Sequence, residues 1–126
     1  MRDRFKDITN IDVNLAPMLD YYNSIADYEF VKVLEYFSNG FGYGDEYYLC
    51  EFPNSWEPWE KEYFENGVRF TVGSGYNKEN SSIVDYSTFY KFSRLACEDY
   101  LKEHPEDKEK IYEILSAIKV RYEIKE

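Results

Sequence analysis

The 126-residue sequence predicts an α+β fold, a small antiparallel sheet of about three strands packed by N-terminal and C-terminal helices. Three observations predict it. Apolar residues recur at helical spacing near both ends of the chain. They alternate at a period of two in short runs between those ends. No crossover helix separates the last two of these runs, so the strands pair antiparallel. A chain of this length fits one domain, 1–126.

The first dozen residues are mixed in charge and without periodicity, and residues 1–15 are expected to form a loose arm. From Pro17 to about Asn39 the pattern is helical. Leu19, Tyr22 and Ile25/Ala26 share one face, followed by Phe30, Val33/Leu34 and Phe37. Asp20 or Asp27 can act as a cap, which leaves open one helix or two. Asn39-Gly40 is the expected stop, because glycine accepts the left-handed backbone that ends many helices. Gly40-Phe41-Gly42-Tyr43-Gly44 then opens an irregular stretch. A phosphate-binding loop needs a strand before it and a helix after it. Here the flanks are reversed, so the stretch is expected to be a flexible turn.

Three strands are expected next. Tyr48, Cys50 and Phe52 fall on one side of the first, and Val68, Phe70 and Val72 alternate with Arg69 and Thr71 in the second. Ser82 to Asp85 is the third, reached through a Gly/Asn-rich turn at Gly73 to Asn80. Phe89, Phe92, Leu95/Ala96 and Tyr100 then form a helical stripe that Asp85 or Ser87 can cap. His104-Pro105 interrupts the chain. A second helix follows, with the proline in its first turn and Ile111, Ile114/Leu115, Ile118 and Tyr122 on its buried face. So short a break makes the two helices antiparallel neighbours.

Little in the sequence suggests catalysis. His104 is the single histidine, so any Ser-His-Asp or Cys-His site depends on it. Cys50 and Cys97 are isolated, without a CxxC or a histidine pair, and the acids do not follow the spacing of a calcium loop. We therefore expect no catalytic residue, no metal and no cofactor. The N-terminus lacks a signal-peptide apolar core, and no run approaches membrane-spanning length. These features point to a cytoplasmic protein with free thiols, a single disulfide being the alternative. A formal charge of −10 argues against direct contact with nucleic acid or an anionic membrane.

That charge is concentrated. Between Asp45 and Glu65 lie seven acids and one base, which gives −6 of the −10. From Asn66 to Cys97 the chain is net +2. Aromatic residues interleave with the acids, including both tryptophans, in a run too polar and proline-broken for a core strand. Crowded carboxylates repel one another, and a fold gains nothing obvious from that. A cationic protein partner, however, gains long-range steering, and aromatic anchors then slow its release. The candidate contact residues are Asp45, Glu46, Tyr47, Trp56, Glu57, Trp59, Glu60, Glu62 and Tyr63. The competing view has the tryptophans covering one edge of the core while the acids face water.

The segments EPWEKEYFENGVRFTV, SIVDYSTFYKFSRLACEDYLKEHPEDKEKIYEIL and FGYGDEYYLCEF carry a further signal. From about Tyr22 to the C-terminus the chain resembles the immunity proteins of bacterial contact-dependent growth inhibition (CDI) systems, and among them the branch acting on ribonuclease toxins. It departs from the family pattern at Phe64-Glu65-Asn66-Gly67-Val68, one residue longer than the usual Phe-Glu-Gly-Val. The resemblance implies a non-enzymatic inhibitor that binds a cognate toxin domain, an RNase that is basic where RNA docks. Two alternatives stand beside it: an acidic DNA mimic that blocks a nucleic-acid enzyme, and a carboxylate-dependent hydrolase.

Overall fold

A computed structural model describes residues 2–73 and 80–125. Its helices are α1 (Ala16–Ser24), α2 (Asp27–Ser38), α3 (Tyr86–Glu103) and α4 (Lys108–Arg121). Its strands are β1 (Tyr43–Gly44), β2 (Tyr48–Glu51), β3 (Val68–Val72) and β4 (Ser81–Val84). The sheet runs β1-β2-β3-β4 with every neighbouring pair antiparallel. The architecture is therefore α+β, with one strand more than the sequence predicts. The extra strand is β1, two residues inside the stretch expected to be a flexible turn. Residues 74–79 of the predicted Gly73–Asn80 turn lie outside the described residues.

The N-terminal helical pattern resolves into two helices. Pro17 sits in the first turn of α1, where its missing N–H is not needed. Asp27 and Glu29 occupy the first turn of α2, at the positive end of its dipole. At the other end of α2, Gly40 takes φ +86°. Its N–H donates to Phe37 O at 3.1 Å and the Phe41 N–H to Tyr36 O at 2.9 Å. These two bonds make a Schellman closure, which fixes where Phe41 leaves the helix. Asp85 caps α3, its carboxylate accepting from the Thr88 N–H at 2.7 Å. Pro105–Asp107 form a 3-10 turn before α4, so the proline opens that turn and not the α-helix itself. Asp85→Ala is expected to cost about 1 kcal/mol, read from a urea unfolding midpoint.

Pairing sets the two faces of the sheet. Cys50, Phe70, Val68 and Val84 point to one side and are buried with Tyr21, Tyr22 and Phe89 in the main core. The core is built largely of rings. Phe30 stacks on Tyr100 with centroids 4.7 Å apart, Phe52 stacks on Tyr122 at 5.2 Å, and Phe37 meets Phe89 edge-on at 5.8 Å. Tyrosines enter this core because their hydroxyls find partners there. Tyr21 donates to Tyr43 O at 2.7 Å, Tyr122 to Phe37 O at 2.8 Å, and Tyr22 pairs with Ser93 Oγ.

The first residues do not form a loose arm. Phe5 is buried, and the Arg4 side chain has no exposed surface. The Arg4 guanidinium donates to Tyr22 O (3.0 Å), Ile25 O (2.8 Å) and Asp27 Oδ1 (3.0 Å), and lies 4.5 Å over the Phe30 ring. Asp99 Oδ2 faces its third nitrogen at 3.7 Å. Arg2 joins the same cluster through Asp27, Asp99 (2.7 Å) and Glu103 (2.7 Å). These partners lie 18 to 101 positions away in the chain, so no local pattern announces them.

Candidate functional site

The nominated residues fall on two connections at opposite ends of β2. Asp45, Glu46 and Tyr47 make the β1–β2 turn, whereas Trp56 to Tyr63 belong to the long connection from β2 to β3. Five residue steps separate Tyr47 from Phe52, which in an extended strand is roughly 16 Å. The structure thus gathers the candidates into two groups and not one.

The turn is held by its own acid. Asp45 Oδ1 accepts from the Tyr48 and Tyr47 N–H groups, both at 2.8 Å. Those backbone bonds hold the Asp45 carboxyl below the usual carboxylate range, so its charge persists into acid. Glu46 is exposed, and Tyr47 is 57% exposed with its ring edge-on to Tyr48 at 4.9 Å.

The β2–β3 connection folds down over the outer face of the sheet. Glu51 and Arg69 are register partners on that face, both buried, and pair at 3.0 Å. The Trp56 indole donates to Glu51 Oε2 at 2.7 Å, and Arg69 lies 4.7 Å over the buried Phe64 ring while donating to Glu62 O at 2.7 Å. Glu51, one of the seven acids of this segment, therefore faces no solvent. Trp56 is half-buried, with its N–H committed to Glu51. Beyond this anchor the chain turns sharply. Glu60 Oε2 accepts from the Glu57 N–H at 2.6 Å, and the Glu60 N–H donates to Glu57 O at 2.9 Å. At the tip, Trp59 is 81% exposed. Glu57 is exposed; Glu60, Glu62 and Tyr63 are half-buried. One indole thus lies on the buried Glu51–Arg69 pair of the outer face, and the other faces water.

A family model for CDI immunity proteins (CdiI_4) matches residues 13–115. The chain belongs to that family. Membership makes it an immunity protein against a CDI toxin. No curated protein matches the chain.

Other groups in this immunity protein are engaged in structure. The His104 ring stacks on Tyr100 at 4.6 Å, and its Nε2 lies 3.0 Å from Asp27. Cys50 and Cys97 are free and buried, and burial raises both thiols above their ordinary range, away from the reactive thiolate. Among the described residues no three His, Cys, Asp or Glu side chains group to hold a metal ion. Among them no helix is long and apolar enough to cross a membrane. The sequence reading missed the covering role of Glu51, Arg69 and Phe64. Its available signal was the period of two, which places Glu51 and Arg69 opposite the inward Cys50 and Phe70.

Proposed function

We propose that this immunity protein neutralises a basic, RNA-cleaving CDI toxin domain in the cytoplasm of the cell that makes it, by binding alone and without catalysis. One observation carries the proposal: an 81% exposed tryptophan, Trp59, stands among Glu57, Glu60 and Glu62 on a loop whose base is pinned to the sheet. A fold has no use for an indole in water, and the loop that holds it is already ordered, so little entropy is lost on binding. Carboxylates around the ring attract the lysines and arginines that would otherwise hold RNA phosphates, and the ring itself can sit against a guanidinium. Asp45, Glu46 and Tyr47 form a second acidic contact at the far end of β2.

The test is protection and capture. Cells expressing the cognate CDI toxin domain should grow only when the immunity protein is present, and the two proteins should co-purify. Retention of a DNA-binding enzyme from lysate, with no affinity for that toxin, would favour the DNA-mimic alternative. Trp59→Ala is expected to weaken toxin binding by about 2–4 kcal/mol in calorimetry, the loss typical of a central aromatic anchor. Its thermal midpoint should not move, because so exposed a ring contributes little to the core.

A further inference from the structure

The acidic turn and the tryptophan loop leave a space between them. A groove of about 490 Å³ runs along β1 and β2, lined by residues that include Tyr36, Phe41, Gly42, Gly44, Leu49 and Ser55. Gly42 and Gly44 offer no side chain to fill it, and neither position can take one. A Cβ would come within 2.2 Å of Cys50 O at the first and 2.3 Å of Tyr48 O at the second. The covering loop ends at the rim: Trp56 engages Glu51, and Asn54 donates to Gly40 O at 3.1 Å, which ties the start of that loop to the end of α2. Phe41 is 58% exposed and Tyr36 40%. The Schellman closure fixes the backbone of both, and both also border a second hollow of about 320 Å³. The result is a fixed aromatic ridge between two hollows; in the lining of the first, Gly44 directly precedes Asp45 and Glu46, and Ser55 directly precedes the loop that carries Glu57, Glu60 and Glu62.

We propose that the groove receives a short segment of the toxin in which an apolar side chain is flanked by lysine or arginine. This rests on the toxin-neutralising function above and names the surface that performs it. The apolar group packs against Phe41, Tyr36 and Leu49. The cations reach Asp45 and Glu46 at one end, and the Glu57–Glu62 loop at the other.

The experiment uses the full chain and its cognate CDI toxin domain, produced as a complex, separated in denaturant and refolded. Phe41→Asp is expected to weaken binding about a hundredfold, the scale of a buried aromatic hot spot. Ser55→Arg, on the exposed rim, places bulk and a positive charge in the groove without touching the core, and should do the same. Tyr112→Asp, an exposed ring on α4, should bind as wild type. Wild-type affinity in both groove variants, with loss in Trp59→Ala, would overturn the groove and leave the loop standing. A wild-type protein that fails to bind the toxin would overturn the function as well. If wild type self-associates and Phe41→Asp is monomeric with unchanged toxin affinity, the face joins two copies of this chain and the proposal falls.

Discussion

Replacing Arg4 with alanine is expected to cost roughly 3–5 kcal/mol of folding stability, the scale measured when one partner of a buried ion pair is removed. Small domains are stable by only about 5–15 kcal/mol, so this is among the most damaging single changes available to the chain. The guanidinium serves two backbone carbonyls and Asp27, with Asp99 close by, and only Arg2, with His104 at Asp27, would be left to balance Asp27, Asp99 and Glu103. Arg4→Lys should recover only part of the loss. An ammonium cannot span acceptors on Tyr22, Ile25 and Asp27 together, nor lie flat on Phe30. Urea midpoints at constant slope measure both. A cost below about 1 kcal/mol for the alanine variant would mean that the first residues are not docked.

The same cluster fixes the pH dependence. Burial works to raise Asp27, but the hydrogen bonds from His104 and Arg4 and the nearby guanidinium charges outweigh it and hold the carboxyl below its ordinary 3.8. Its contribution is present above that value and is lost as pH falls through the folded value. The hydrogen bond to Asp27, and then Glu106, raises His104 above its ordinary 6.5. That contribution is complete below 6.5 and is lost as pH rises through the folded value. Both operate together between the two, so the cluster contributes most in mildly acidic solution.

The second large effect is on binding. Reversing Glu57, Glu60 and Glu62 to lysine is expected to weaken toxin affinity by roughly 3–9 kcal/mol, at about 1–3 for each desolvated charged contact. The association rate should fall most, and its dependence on salt should flatten, because steering acts over the Debye length of about 8 Å. Surface-based kinetics at two ionic strengths separate this from a packing effect. The Glu60 side chain also closes the turn at Glu57, so the pair Glu57→Lys and Glu62→Lys isolates charge from loop shape. Unchanged protection and affinity would place the interface elsewhere on the molecule.

The helices were legible because their apolar residues repeat at helical spacing, and Asp85 and Gly40 mark their ends by local chemistry. β2 and β3 were legible by alternation, and β4 by the Gly/Asn-rich stretch that precedes it. β1 was not, since two residues among glycines carry no period and pair only because β2 lies beside them. The docking of Arg4 escaped for the same kind of reason: its partners sit on α1, on α2, on α3 and between α1 and α2. At the candidate site, composition located the acidic aromatic segment but could not tell the inward Trp56 from the outward Trp59. That difference depends on Glu51 and Arg69 meeting across two strands, which is a matter of register. Whether Phe41 faced core or solvent was likewise undetermined until the closure of α2 placed it.

The clamp beneath Trp56 divides the loop into two kinds of position. Glu51, Trp56, Phe64 and Arg69 hold the outer face of the sheet together, and altering them unsettles the fold. Pro58, Trp59 and Lys61 are exposed at the tip. A lineage can rewrite those tip positions to follow a changing adversary while the scaffold below them stays as it is.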